Sequence, residues 1–130
     1  MNIKDFAEKY IKAEDEAWQN GNFTALEKLE DPNVIYHCPP LPDGVGFESH
    51  KKGVLESRQM ISNLQQHWEY ITGEGNLFAL SYKSSGMYLR EVPGMPPPGK
   101  KYTTDYLCLF RVKNGRMIET WMNGTMTVLS

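Results

Sequence analysis

Glu14 is a carboxylate set among apolar residues. Ile3, Phe6, Ala7, Tyr10, Ile11, Ala17 and Trp18 recur at three- and four-residue spacing, and on a helix Glu14 falls near the middle of the stripe they make. Turned toward a cavity, such a carboxyl has its pKa raised by burial, which suits a general acid or base. At the edge of the stripe it instead pairs with a Lys or Arg or reaches water. His37 is the one histidine on an expected strand, and imidazole is suited to proton transfer near neutral pH. Strict alternation puts His37 on the face opposite Tyr36 and Cys38, a parity that a bulge would change. Cys38 and Cys108 form no CxxC pair and no disulfide framework; as thiols they are soft fillers and weak donors. Asp105, inside an expected strand, reads as an outward residue with a cross-strand Lys or Arg partner. No His, Cys, Asp or Glu spacing fits a zinc site, so no metal is expected.

The elements that must position these groups follow from pattern and punctuation. The apolar stripe predicts a first helix ended by Gly21. Thr24 to Leu29 is a short second helix, capped by Thr24 in a capping box with Glu27, or by Asn22, and closed at Asp31-Pro32. Val34 to Cys38 is a strand stopped by Pro39-Pro40. Loop follows to Ser49. A third helix is expected from His50 to Trp68, with Val54, Ile61, Leu64 and Trp68 on one face and His50 and His67 at its ends. Tyr70 to Thr72 reads as a short strand, Gly73 to Asn76 as a turn, and Leu77 to Leu89 as a strand with Phe78, Leu80, Tyr82 and Tyr88 on one face. Arg90 to Lys100 is a proline-rich loop. Tyr102 to Val112 and Arg116 to Val128 are strands joined by an Asn114-Gly115 turn. Met117, Glu119, Trp121, Asn123 and Thr125 share one parity on the last strand. Helices followed by a meander of strands imply an α+β fold.

Composition excludes whole classes of partner. The chain has 130 residues with 14 Lys and Arg against 16 Asp and Glu, a net charge of -2. A generally basic nucleic-acid surface is therefore absent. No apolar run is long enough for a membrane span, and the charged, amphipathic start is unlike a secretory signal. Isolated cysteines fit a reducing, cytoplasmic setting. The 7 Tyr, 3 Trp and 5 Phe either pack a core or line a pocket. Tyr36, Tyr82, Tyr88, Tyr106 and Trp121 are the candidates for a cavity wall, together with Trp18.

The order of these pieces resembles the nuclear transport factor 2-like superfamily, within it the SnoaL-like polyketide cyclases and ketosteroid isomerases. The likeness is carried by Ala17 to Asn22 (AWQNGN), Val34 to Pro39 (VIYHCP), Gly94 to Gly99 (GMPPPG), and the closing hairpin with Phe110-Arg111-Val112, Asn114 to Met117, Glu119 and Trp121. It spans nearly the whole chain. It implies a single domain over residues 1–130, in which a cone-shaped, curved antiparallel sheet and three N-terminal helices enclose a pocket. It also implies a homodimer through the outer sheet face. By the same resemblance, Glu14 stands where the isomerases place an oxyanion-donating Tyr. Cys38 stands where isomerases and many cyclases place an Asp base, Cys108 where the isomerases keep a second, protonated Asp, and Thr125 where SnoaL-type cyclases carry their acid/base Asp.

Together these readings predict a cofactor-free isomerase, cyclase or dehydratase acting on a small apolar or aromatic, carbonyl-bearing molecule. Glu14 and His37 are its acid/base candidates. Trp18, Tyr36, Cys38, Tyr82, Tyr88, Tyr106, Cys108, Trp121 and Asn123 are its candidate binding residues. The missing acids at 38, 108 and 125 favour a second class, a binding module without catalysis. A third is a dimeric interaction module.

Overall fold

A computed structural model describes residues 2–129. Its elements are α1 (Ile3–Asn20), α2 (Thr24–Leu29), β1 (Glu30–His37), β2 (Gly44–Val45), α3 (Phe47–Met60), β3 (Ile61–Glu74), β4 (Leu77–Tyr88), β5 (Lys101–Lys113) and β6 (Arg116–Val128). Asn2 caps α1 by accepting from the backbone N–H groups of Lys4 (3.0 Å) and Asp5 (3.1 Å). Gly21 ends it in the left-handed region at φ 69°, its N–H bonded to the Ala17 carbonyl. At the start of α2 the Asn22 side chain, not that of Thr24, accepts a backbone N–H.

The six strands form one sheet in the order β2-β1-β6-β5-β4-β3. Every pairing is antiparallel except β1 with β6, which is parallel. The architecture is the expected α+β cone, with a mixed sheet rather than a wholly antiparallel one. α1 packs across β3 and β4, and Phe6, Tyr10, Phe78 and Phe110 interlock beneath it in tilted and stacked pairs.

Several expectations change: the expected loop to Ser49 holds β2, and α3 begins at Phe47 rather than His50. The third helix ends at Met60, and Ile61 to Trp68 belongs to β3, which runs on through the expected short strand. Leu64, Gln66, Trp68 and Tyr70 alternate with exposed neighbours along it. Pairing with the long β4 decides between this period of two and the helical spacing of Ile61, Leu64 and Trp68. On β6, the register slips between Val112↔Met117 and Arg111↔Glu119, leaving Ile118 unpaired. That extra residue reverses the parity of the strand. Met117 is fully buried, while Glu119, Trp121, Asn123 and Thr125 lie opposite Arg111, Leu109, Leu107 and Asp105 on the outer face. Asp105 stands opposite Lys83 there, as its strand position suggested.

Close backbone packing fixes the β5–β6 seam. A Cβ on Gly124 would stand 2.0 Å from the Asp105 carbonyl oxygen and 2.7 Å from the Tyr106 Cα. Gly124→Ala should therefore lower stability by about 1–3 kcal/mol, read as a fall in urea midpoint. Gly53, inside α3 with nothing within 4 Å of a built Cβ, gives the opposite control: Gly53→Ala should stabilise by about 0.5–1 kcal/mol.

Candidate functional site

Three elements bring six polar side chains together under the sheet. Tyr10, Glu14 and Trp18 stand four residues apart on α1 and so share one face. The Trp18 indole N–H donates to Glu14 Oε2 at 3.1 Å, and the Tyr10 hydroxyl lies 3.2 Å from Glu14 Oε1 and 3.0 Å from Glu30 Oε2. Glu30 opens β1, and Tyr36 near its end donates to Glu30 Oε2. His50, in the first turns of α3, places Nδ1 2.6 Å from the Tyr36 hydroxyl and 3.1 Å from Glu30 Oε1. Its Nε2 lies 3.6 Å from Glu14 Oε1. Because the Tyr36 proton goes to Glu30, the Nδ1 of His50 is the donor in both of its contacts. That fixes the tautomer and leaves Nε2 to exchange a proton with Glu14.

Glu14 is 3% exposed and Glu30 1%. Burial pushes the Glu14 carboxyl up to about 7; the charge of His50 opposes this and that of Glu30 adds to it. Burial would draw His50 down, but the charges of Glu14 and Glu30 and the bond to Glu30 outweigh it and leave its pKa raised. Burial, with the neighbouring carboxylates, pushes the Tyr10 and Tyr36 hydroxyls well up, so both remain proton donors. One ligand atom each from Glu14, Glu30 and His50 lies within 4.8 Å of the others. They come from α1, β1 and α3, so no local spacing announced a set within reach of a metal ion. Glu30 engages one ring nitrogen and Glu14 faces the other, an arrangement suited to passing protons through the ring.

The cluster opens into a two-chambered cleft. An inner chamber of about 360 Å³ is lined by Tyr10, Glu14, Trp18, Tyr36, His50, Val54, Trp68, Phe110 and Met122, among others. An outer chamber of about 490 Å³ is bounded by Pro39, Pro40 and the Gly94–Pro97 segment, with Gln66, Ser84, Tyr88, Tyr102, Thr104 and Tyr106 on its walls. Trp18, Cys38, Leu41, Ser57 and Tyr82 line both. Among the described residues, Glu14 and His50 are the only Asp, Glu, His, Lys or Arg on either wall.

The expected residues divide by sheet face. Glu14, Trp18, Tyr36, Cys38, Tyr82, Tyr88 and Tyr106 line the cleft. Cys108 is fully buried, paired between Leu80 and Met122 on the inward face, and is packed in the core beside the wall. Burial pushes its thiol up to about 12 and raises that of Cys38 as well. His37, Trp121 and Asn123 lie on the outer face, away from the cleft. His37 bridges Glu119 (2.7 Å) and Asp43 (3.0 Å), bonds that raise its pKa. Trp121 stacks between His37 and the Arg111 guanidinium. Tyr10, Glu30 and His50 were not singled out as functional in the sequence. The Tyr10–Glu14–Trp18 spacing held a signal for the first; nothing local marked the others.

Residues 8–124 match the family described as SnoaL-like polyketide cyclase. No curated protein matches the sequence. Among solved structures, TsrD from Streptomyces laurentii is similar with a TM-score of 0.77 at 15% identity, covering 92% of this chain and 88% of its own. A SnoaL-like polyketide cyclase from Agrobacterium tumefaciens is similar with a TM-score of 0.73 at 13% identity, covering 92% and 91%. An NTF2-like protein from Anabaena variabilis gives 0.72 at 11% identity, covering 93% and 87%. These likenesses are of fold. Among the described residues, no helix is long and apolar enough to cross a membrane.

The raised pKa values have a sign in stability. Glu14 keeps its proton in the folded chain to about 7, whereas the unfolded chain releases it at the ordinary glutamate range, so stability falls as pH rises between the two. His50, raised in the fold, contributes stability that is complete below the ordinary histidine range and lost as pH climbs through its folded value. Both act in one direction. The melting temperature should fall between pH 5.5 and pH 8, and Glu14→Gln should flatten that fall by several degrees in a buffered thermal melt.

Proposed function

The chain belongs to the SnoaL-like polyketide cyclase family, and we propose that it catalyses enolisation of an uncharged, apolar, carbonyl-bearing molecule, with Glu14 as the group that exchanges protons with carbon. The observation that carries this is a buried carboxyl on the wall of a cleft whose one other acidic or basic side chain among the described residues is His50; burial pushes that carboxyl up to about 7. Ionised Glu14 takes a proton from the carbon beside the carbonyl. The C–H electron pair becomes the enol double bond, and the carbonyl oxygen takes its proton from the protonated Nε2 of His50. The resulting enol either closes onto a second carbonyl carbon, as in a cyclase, or is reprotonated at another carbon, as in an isomerase. Glu30 does not line the inner chamber; it stands behind the wall and holds the His50 ring and the Tyr36 hydroxyl in place. No cofactor enters this scheme.

A wall without Lys or Arg favours an uncharged substrate. Neither chamber offers a Lys or Arg to a phosphate or carboxylate, and burying an unpaired anion there would be costly. The replacement of acids at Cys38, Cys108 and Thr125 supports a second reading, in which the cleft binds such molecules without turning them over.

Deuterium exchange at the α-carbon of 2-tetralone in D2O separates the two. With wild-type protein, exchange should exceed the buffer rate, and Glu14→Gln should cut the enhancement by about 100-fold or more while 2-tetralone still raises the melting temperature. Binding without enhanced exchange would support the second reading and overturn the first.

A further inference from the structure

The outer chamber holds polar side chains that the enolisation chemistry does not use. Gln66, Ser84 and Thr104 stand side by side on adjacent strands, in the register Gln66↔Ser84 and Ser84↔Thr104. All three face the concave side and line the outer chamber. The rows on either side are aromatic: Trp68, Tyr82 and Tyr106 on one, Tyr102 with Gly86 on the other. Inward strand positions in a core are normally apolar, and a polar row there, with Thr104 buried and Gln66 and Ser84 half-buried, calls for partners. Here the row meets no charged group. Ser84 and Thr104 share one hydrogen bond of 2.5 Å, which uses one of their two protons, and the bond from Ser84 to the Tyr82 hydroxyl uses the other. The Gln66 amide donates to the Tyr82 hydroxyl at 2.5 Å, so the Tyr82 proton is free. Burial, partly offset by its bonds to Ser84 and Gln66, pushes that phenol up to about 12, so it stays a donor at physiological pH. One free O–H donor, that of Tyr82, with the second amide N–H of Gln66 and several acceptor lone pairs, thus faces a chamber flanked by tyrosine rings and by Pro39, Pro40, Pro96 and Pro97. Flat apolar walls with neutral hydroxyl and amide groups fit an uncharged ring that itself carries hydroxyls.

We infer that the outer chamber is a binding subsite for an uncharged, polyhydroxylated ring of the glycosyl type, attached to the carbonyl-bearing part that occupies the inner chamber. The inference rests on the proposed use of the inner chamber for that carbonyl-bearing part. Tyr82, common to both chambers, marks the junction the linkage crosses. The row Gln66–Ser84–Thr104 is then a specificity determinant that acts on affinity for the hydroxylated ring and leaves the acid–base cluster untouched.

Binding of 7-methoxycoumarin and of 7-glucosyloxycoumarin, followed by the fluorescence of the shared ring system, tests this. The two probes are both neutral and differ in the group aimed at the outer chamber. The glucoside should bind about tenfold more tightly, the worth of one to two net hydrogen bonds. Ser84→Ala combined with Thr104→Val, and separately Gln66→Leu, should each remove most of that advantage while leaving the methoxy probe within about twofold. Glu14→Gln should leave the advantage intact, so loss of the enolisation reading and loss of the subsite give different results. Equal binding of the two probes, an advantage that survives both sets of substitutions, or no binding of the glucoside would each overturn the subsite.

Discussion

Two carboxylates buried against a single imidazole set the terms for this fold. Glu14 and Glu30 lie together beneath an apolar roof with no Lys or Arg in their hydrogen-bonded contacts, and an isolated buried carboxylate would cost several kcal/mol. The structure meets that cost in two ways. Hydrogen bonds from Tyr10, Tyr36, Trp18 and His50 replace water around the oxygens, and a proton retained on Glu14 lowers the net charge. Each remedy ties a different element to the cluster. α1 supplies three side chains at one spacing, β1 two, and α3 the ring between the carboxylates. The same contacts that solvate the charge therefore also fix how the helices sit on the sheet.

The chemistry follows from the incompleteness of the remedy. Were both carboxylates fully compensated, the cluster would be a structural pin. Instead His50 joins Glu30 firmly through Nδ1 and approaches Glu14 more loosely through Nε2, so the proton nearest the inner chamber is the one least tightly held. Glu14 is on the cavity wall and Glu30 behind it, which separates the group that meets substrate from the group that orients its partner. The absence of any other charge on the walls of the cleft keeps the dielectric low around that proton and confines the substrate to neutral molecules.

Much of this scaffold was legible in the sequence, and the misreadings have physical causes. α1 and its Gly21 cap, α2, and the strands around the Asn114-Gly115 turn follow from periodicity and turn chemistry. The first half of β3, Ile61 to Trp68, satisfies a helical spacing at Ile61, Leu64 and Trp68, while Tyr70 to Thr72 reads as strand; the strand period of the first half becomes decisive only when the partner β4 is known. Trp121, as an aromatic wall candidate, and Asn123, on the face of Thr125, are expected at the cavity, and a single unpaired residue, Ile118, sets their stretch of β6 on the outer face. His37 follows the strict alternation that placed it away from Cys38. Glu14 stood out because a carboxylate in an apolar stripe is a local contradiction. Glu30 and His50 carry no such mark, since one sits beside a proline-ended helix and the other opens a helix of mixed polarity. Their meeting is a product of tertiary packing.

The central claim is that burial holds the Glu14 proton close to neutrality, with the charge of Glu30 adding to the effect and that of His50 opposing it. The direct measurement is a pH titration of the glutamate side-chain carboxyl carbons by NMR, with the His50 ring nitrogens followed alongside. The account predicts that Glu14 titrates at about 7, apart from the surface glutamates, and that the His50 nitrogens report an Nδ1–H form whose shifts move in step with it. A Glu14 that titrates with the surface carboxylates, or a His50 ring indifferent to its ionisation, would contradict it.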